Sequence, residues 1–170
     1  MKVTGEDERR RAARGCFGCG DLNPKGLKLA FRFEDGVAVA EFDPEPSHQG
    51  YPGLMHGGVV AAVLDEAMGW AIYGQGIWAM TARMQLRFRR SVPLARRLRV
   101  SARITKQRLG LVEARAELCD ADGKLLAEGE GSFLRVTPKR GRELEELYRA
   151  AAAEAGLTTD MERLPAGGQG

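Results

Sequence analysis

The stretch "HGGVVAAVLDEAMG", His56 to Gly69, decides the fold. Six apolar residues, Val59 to Leu64, run straight into two adjacent carboxylates, Asp65 and Glu66. The apolar pattern resumes through Trp70, Ala71, Ile72 and Tyr73, and Gly74 is placed to end it. The spacing therefore predicts one long, largely buried helix with Asp65 in its middle. A carboxylate among apolar neighbours costs several kcal/mol unless it is paired or put to use. That cost is the first pointer to chemistry.

Working outward, "DPEPSHQGYPG" (43–53) precedes the helix as a loop longer than a simple connection needs. Before it, "GLKLAFRFEDGVAVAEF" alternates apolar and polar residues around Asp35-Gly36, the signal of a two-strand hairpin. After the helix come four strand-like segments near 78–90, 96–108, 111–120 and 124–136, with Asp122-Gly123 turning the last pair. Residues 141–155 are rich in good helix formers and read as a surface helix. Residues 1–14 read as a mobile charged tail, 15–137 as the folded domain, and 138–170 as a C-terminal helix and tail. A helix apolar on nearly every side must be wrapped by something. The expectation is an α+β domain, one curved antiparallel sheet wrapped around a long central helix, with an extra helix at the C-terminus. That layout is the hotdog fold.

Length and charge narrow the field. A chain of 170 residues fits one domain with a real core. Asp65 and Glu66 interrupt the longest apolar run, so no bilayer-spanning segment and no membrane partner are expected. The first residues, "MKVTGEDERRRAARG", lack the apolar core of a secretory signal, and three cysteines form no disulfide framework. A cytoplasmic setting is expected on both grounds. A formal charge of +3 is too small to argue for nucleic acid.

The stretch "GYPGLMHGGVVAAVLDEAMG" (50–69) resembles the signature of hotdog-fold acyl-CoA thioesterases, the phenylacetyl-CoA-type branch of the 4-hydroxybenzoyl-CoA thioesterase superfamily. The resemblance rests on Gly53, on His56-Gly57-Gly58, on Asp65 seven residues after Gly58, and on Thr81 in the following strand. It implies hydrolysis of an acyl-CoA to free acid and coenzyme A, with no cofactor. By the same resemblance Asp65 is the general base or nucleophile, the Gly57 N–H meets the thioester carbonyl, and Thr81 helps position the water. Family members often carry Asn or Gln six residues before the histidine; here Gly50 stands there, and its neighbour Gln49 is the substrate-binding candidate for that role. The chemistry is consistent with this. A tetrahedral oxyanion is stabilised by preorganised backbone N–H groups, which a helix N-terminus supplies.

Other residues carry weaker signals. Helix geometry turns Glu66 about 100° away from Asp65, toward a structural or solvent-facing role. His56 fits a helix cap beside the substrate, with Gly58 next to it, and His48 fits a loop. "CFGCG" (16–20) has the spacing of a zinc or redox pair, but zinc wants four ligands and no second pair exists, so packing is expected and no metal. Arginines between 83 and 99 read as a solvated sheet face, with Arg89 and Arg90 as the candidates for coenzyme A phosphates. Val59, Val60, Val63, Met68, Trp70 and Trp78 fit the walls of an acyl tunnel, aliphatic or aromatic. Two alternatives remain open: a hotdog dehydratase of 3-hydroxyacyl thioesters, and a non-catalytic acyl-CoA-binding regulator. Finally, Gly57 and Asp65 lie eight residues apart, about 12 Å along a helix. One thioester cannot touch both in one chain. A homodimer, or a homotetramer as a dimer of dimers, with each site at a subunit interface is therefore expected.

Overall fold

The computed structural model describes residues 15–154; the tail expected over 1–14 and the last part of the segment expected as C-terminal helix and tail (138–170) lie outside them. Six strands form one antiparallel sheet: β1 (Arg32–Glu34), β2 (Val37–Phe42), β3 (Ala79–Phe88), β4 (Leu98–Arg108), β5 (Leu111–Asp120) and β6 (Leu125–Arg135). Their order across the sheet is β1-β2-β4-β5-β6-β3. The central helix α1 (Gly57–Tyr73) packs against the sheet, and α2 (Pro138–Glu154) follows the last strand. This is the hotdog layout expected from the order of elements.

Local chemistry explains the boundaries. Glu34 pairs with Val37 across Asp35 and Gly36, whose φ values of 48° and 81° match the hand that a two-residue hairpin demands. At the last turn, the buried Asp120 carboxylate accepts the N–H groups of Asp122 and Lys124 at 3.1 and 2.9 Å. Helix α2 begins at Pro138, three residues earlier than the composition implied. Proline is pre-shaped for the first helical position, and Thr137 Oγ1 accepts the Arg140 N–H at 3.3 Å. Strand β1 is short, because residues 27 to 31 are held by loop contacts such as Leu27 N–H to Phe17 O and Leu29 N–H to Gly18 O. Gly74 ends α1 in a right-handed conformation, so its glycine has a different cause: a Cβ there would lie 2.3 Å from the Phe33 ring.

The core lies between α1 and the inner sheet face. Val60, Val63, Leu64, Ala67, Met68 and Ala71 share the core with Leu98 and Val100 of β4, Val112, Ala114, Ala116 and Leu118 of β5 and Phe133 of β6. Close approach depends on β6, where a Cβ on Gly131 would lie 3.2 Å from Met68 Sδ. Four expected tunnel residues, Val60, Val63, Met68 and Trp70, are part of this closed core. Within one chain their role is packing rather than lining. An aromatic series, Phe31 to Trp70, Tyr73, Trp78 and Tyr148, ties the hairpin, α1 and α2 together with centroid spacings of 5.4–6.1 Å.

Candidate active site

Helix α1 begins at the two glycines. The His56 imidazole caps it, Nδ1 accepting the Gly58 N–H at 2.9 Å. The glycine at 58 permits this, since a Cβ would come within 3.1 Å of that nitrogen. The Gly57 N–H sits at the first helical position, where no intrahelical acceptor exists. A Cβ on Gly57 would make only ordinary contact, 3.7 Å from the Phe88 ring. Among the described residues, nothing demands glycine there; an incoming group that must approach the backbone would.

Two turns further along, Asp65 is half-buried, not enclosed as the apolar run had implied. Only one side of α1 faces the sheet; the flank carrying Asp65 is left half open beside the edge strand. There the carboxylate is met by Thr81, whose Oγ1 donates to Oδ1 at 2.8 Å. A β-bulge makes this possible. The register of β3 against β6 shifts between Thr81 and Arg83. Ala79 packs on the core before the bulge, and Met84 and Leu86 pack on it after, so the alternation changes phase. The extra residue turns Thr81 toward the helix. Strand β3 is the sheet edge, with Thr81 exposed and Met80 and Phe88 about half exposed.

The other expected residues are placed as follows. Gln49 lies on the loop before α1 and its Oε1 accepts the Gly53 N–H at 2.9 Å. Arg89 is engaged with Glu128, through Nε at 2.8 Å and through Nη2, while Arg115 reaches the other carboxylate oxygen at 2.6 Å. The Arg89 bond, then the two guanidinium charges, holds the Glu128 carboxyl below its ordinary range. Arg90 Nη1 donates to Leu125 O at 2.7 Å. His48 is buried and its Nδ1 accepts the Glu45 N–H at 3.0 Å. Among the described residues, no hydrogen bond joins either histidine to Asp65 or Glu66.

Glu66 is structural in its contacts, yet they were not foreseeable. Its Oε1 accepts the Trp70 indole N–H at 3.0 Å, and the Cys16 thiol lies 3.8–3.9 Å from both oxygens. The Cys16 thiol is lowered to about 6, chiefly by hydrogen bonding to the Cys19 side chain, with the N–H groups of Cys19 and Gly18 adding to it. The same bond, burial and the Glu66 charge push Cys19 up. Sequence could pair the cysteines but could not bring a helix residue fifty positions away to them. Also missed was Phe88, whose ring stands beside Gly57.

Residues 52–127 match the model of the thioesterase superfamily. The chain is 31% identical over 103 residues to the bovine (Bos taurus) protein named acyl-coenzyme A thioesterase THEM4, covering 60% of this chain and 42% of that one. The chain thus spans less than half the length of the curated relatives it matches. A crystal structure of a thioesterase superfamily protein matches with a TM-score of 0.65 and 28% identity, over 68% of this chain and 60% of that one. The fold is shared too with a Streptococcus pneumoniae hypothetical thioesterase solved with coenzyme A, at a TM-score of 0.61 and 16% identity, over 64% and 88% of the two chains. Among the described residues, no helix is long and apolar enough to cross a membrane.

Proposed function

We propose that this protein is an acyl-CoA thioesterase in which Asp65 is the catalytic carboxylate. The observation that carries the reading is the 2.8 Å hydrogen bond from Thr81 to Asp65 Oδ1 at an open sheet edge. It orients the carboxylate and leaves Oδ2 free to take a proton from water or to attack the thioester carbonyl. The matched relatives named acyl-coenzyme A thioesterases and the coenzyme A-bound protein of the same fold support the substrate class. The Gly57 N–H, with the helix dipole behind it, is suited to the developing oxyanion.

The reading includes a partner subunit. Gly57 and Asp65 of one chain stand about 12 Å apart along α1, whereas reacting groups must come within about 3–3.5 Å. The half-open flank of α1, the long unpaired edge of β3 and the exposed Met80 and Phe88 beside it are the surface a second copy would cover. A two-fold pairing there brings Asp65 of one copy to Gly57 of the other.

The test is thiol release from a panel of aliphatic and aromatic acyl-CoAs, with Asp65→Asn as control. Release that the variant loses while still binding acyl-CoA supports the reading. Binding without release in the parent protein points instead to a regulator, and crotonyl-thioester hydration without release to a dehydratase.

A further inference from the structure

The loop from Gly15 to Gly20 lies against α1 on the residue next to Asp65, and its contacts are those of a ligand set. The Cys16 and Cys19 sulfurs and a Glu66 oxygen all lie within 4.8 Å of one another. Zinc–sulfur bonds of about 2.3 Å and zinc–oxygen bonds near 2.1 Å place neighbouring ligands of a tetrahedron roughly 3.5–3.8 Å apart. The Cys16 sulfur already stands 3.8 Å from Glu66 Oε2. We propose that Cys16, Cys19 and Glu66 bind one thiophilic divalent cation of the zinc class, with a fourth position left for water.

Three further features fit a metal better than a redox pair. Glu66 is held as a ligand should be: the Trp70 indole N–H ties Oε1 at 3.0 Å, while both carboxylate oxygens lie 3.8–3.9 Å from the Cys16 sulfur. The loop is kept clear for it, because a Cβ on Gly18 would lie 2.4 Å from the Glu66 carboxylate. The loop is also fixed, with Phe17 O and Gly18 O accepting from Leu27 and Leu29 and the Gly20 N–H donating to Cys16 O. The Glu66 carboxylate beside two thiols adds negative charge that a disulfide pair has no use for. Beside a divalent cation the same negative charges are what binding requires. The bound ion would tie the N-terminal loop to the helix that carries Asp65.

The experiment uses the full chain with Cys119→Ser, so that Cys16 and Cys19 are the remaining thiols, stripped with chelator and kept reduced by a phosphine. Cobalt(II) is the probe. The expected result is one cobalt per chain with a thiolate-to-cobalt charge-transfer band, displaced by zinc, and a zinc-dependent rise in melting temperature. Cys16→Ser should abolish the band. Glu66→Gln keeps an oxygen for Trp70 and should weaken binding about ten-fold or more. Absence of the band, or a band that survives Cys16→Ser, overturns the proposal. If the serine variant does not fold, Glu66→Gln decides, and unchanged affinity overturns it. A reduced protein that takes no cobalt but loses both thiols to glutathione disulfide is a redox pair, and that outcome overturns it too.

Discussion

Thr81 and Asp65 are sixteen residues apart and belong to different elements, yet their side chains meet at 2.8 Å because β3 carries a bulge between Thr81 and Arg83. Without that extra residue, the alternation set by Met84 and Leu86 would turn Thr81 to the outer face. The bulge therefore belongs to the site as much as the hydroxyl does.

Thr81→Ala should lower kcat by about ten- to a hundred-fold with little change in KM, since a hydrogen bond to a charged group contributes about 1.5–3 kcal/mol. Thr81→Ser keeps the hydroxyl and should recover most of the loss. Steady-state kinetics on an active acyl-CoA checks this; an alanine variant equal to the parent removes Thr81 from the site.

How much of this was legible follows from the range of each signal. Hairpin, helix and strands rest on local periodicity, and the predicted segments at 96–108 and 111–120 correspond to strands 98–108 and 111–120. The His56 cap was equally local. The degree of burial of Asp65 was not, because an apolar run cannot reveal that its flank meets a sheet edge rather than a wall. The Cys16–Cys19 pair was legible in its spacing, but bringing Glu66 to it rests on tertiary packing. A place near a strand end makes Arg89 and Arg90 candidates for coenzyme A phosphates, but that position could not reveal that Glu128 and Leu125 O engage them in this chain.

Glu128 gives a pH-dependent prediction. Arg89 and Arg115 hold its folded pKa below the ordinary glutamate value, so the paired carboxylate stabilises the fold fully above that ordinary value. The contribution is lost as pH falls through the depressed folded value. Glu128→Gln should therefore be less stable than the parent at pH 7, and the gap should close progressively in acid. Denaturant midpoints of both proteins across that range measure it. A gap that stays constant would mean the substitution acts through packing instead.

Gly57 separates backbone chemistry from side-chain sterics. An added Cβ meets nothing closer than the Phe88 ring at 3.7 Å, so Gly57→Ala should fold with nearly unchanged stability. If a thioester carbonyl must reach the Gly57 N–H, the same methyl should obstruct it and lower kcat/KM. Thermal melts together with kinetics decide; loss of stability without loss of turnover would return Gly57 to a structural role.

The shared site makes the sharpest prediction. Asp65→Asn removes the basic oxygen, and Gly57→Pro removes the N–H at a position where proline is compatible with helix geometry. Each variant alone should be inactive, because every site in its homodimer lacks one half. Mixing the two creates heterodimers in which one site has both defects and the other has neither. With complete random exchange of equal amounts, half of the dimers are mixed and each carries one intact site, so about a quarter of parent activity should return. Subunit exchange is followed independently by differently tagged chains. Were each site contained in one chain, mixing would restore nothing however fully the chains exchanged, and that result would end the interface model while leaving Asp65 itself untouched.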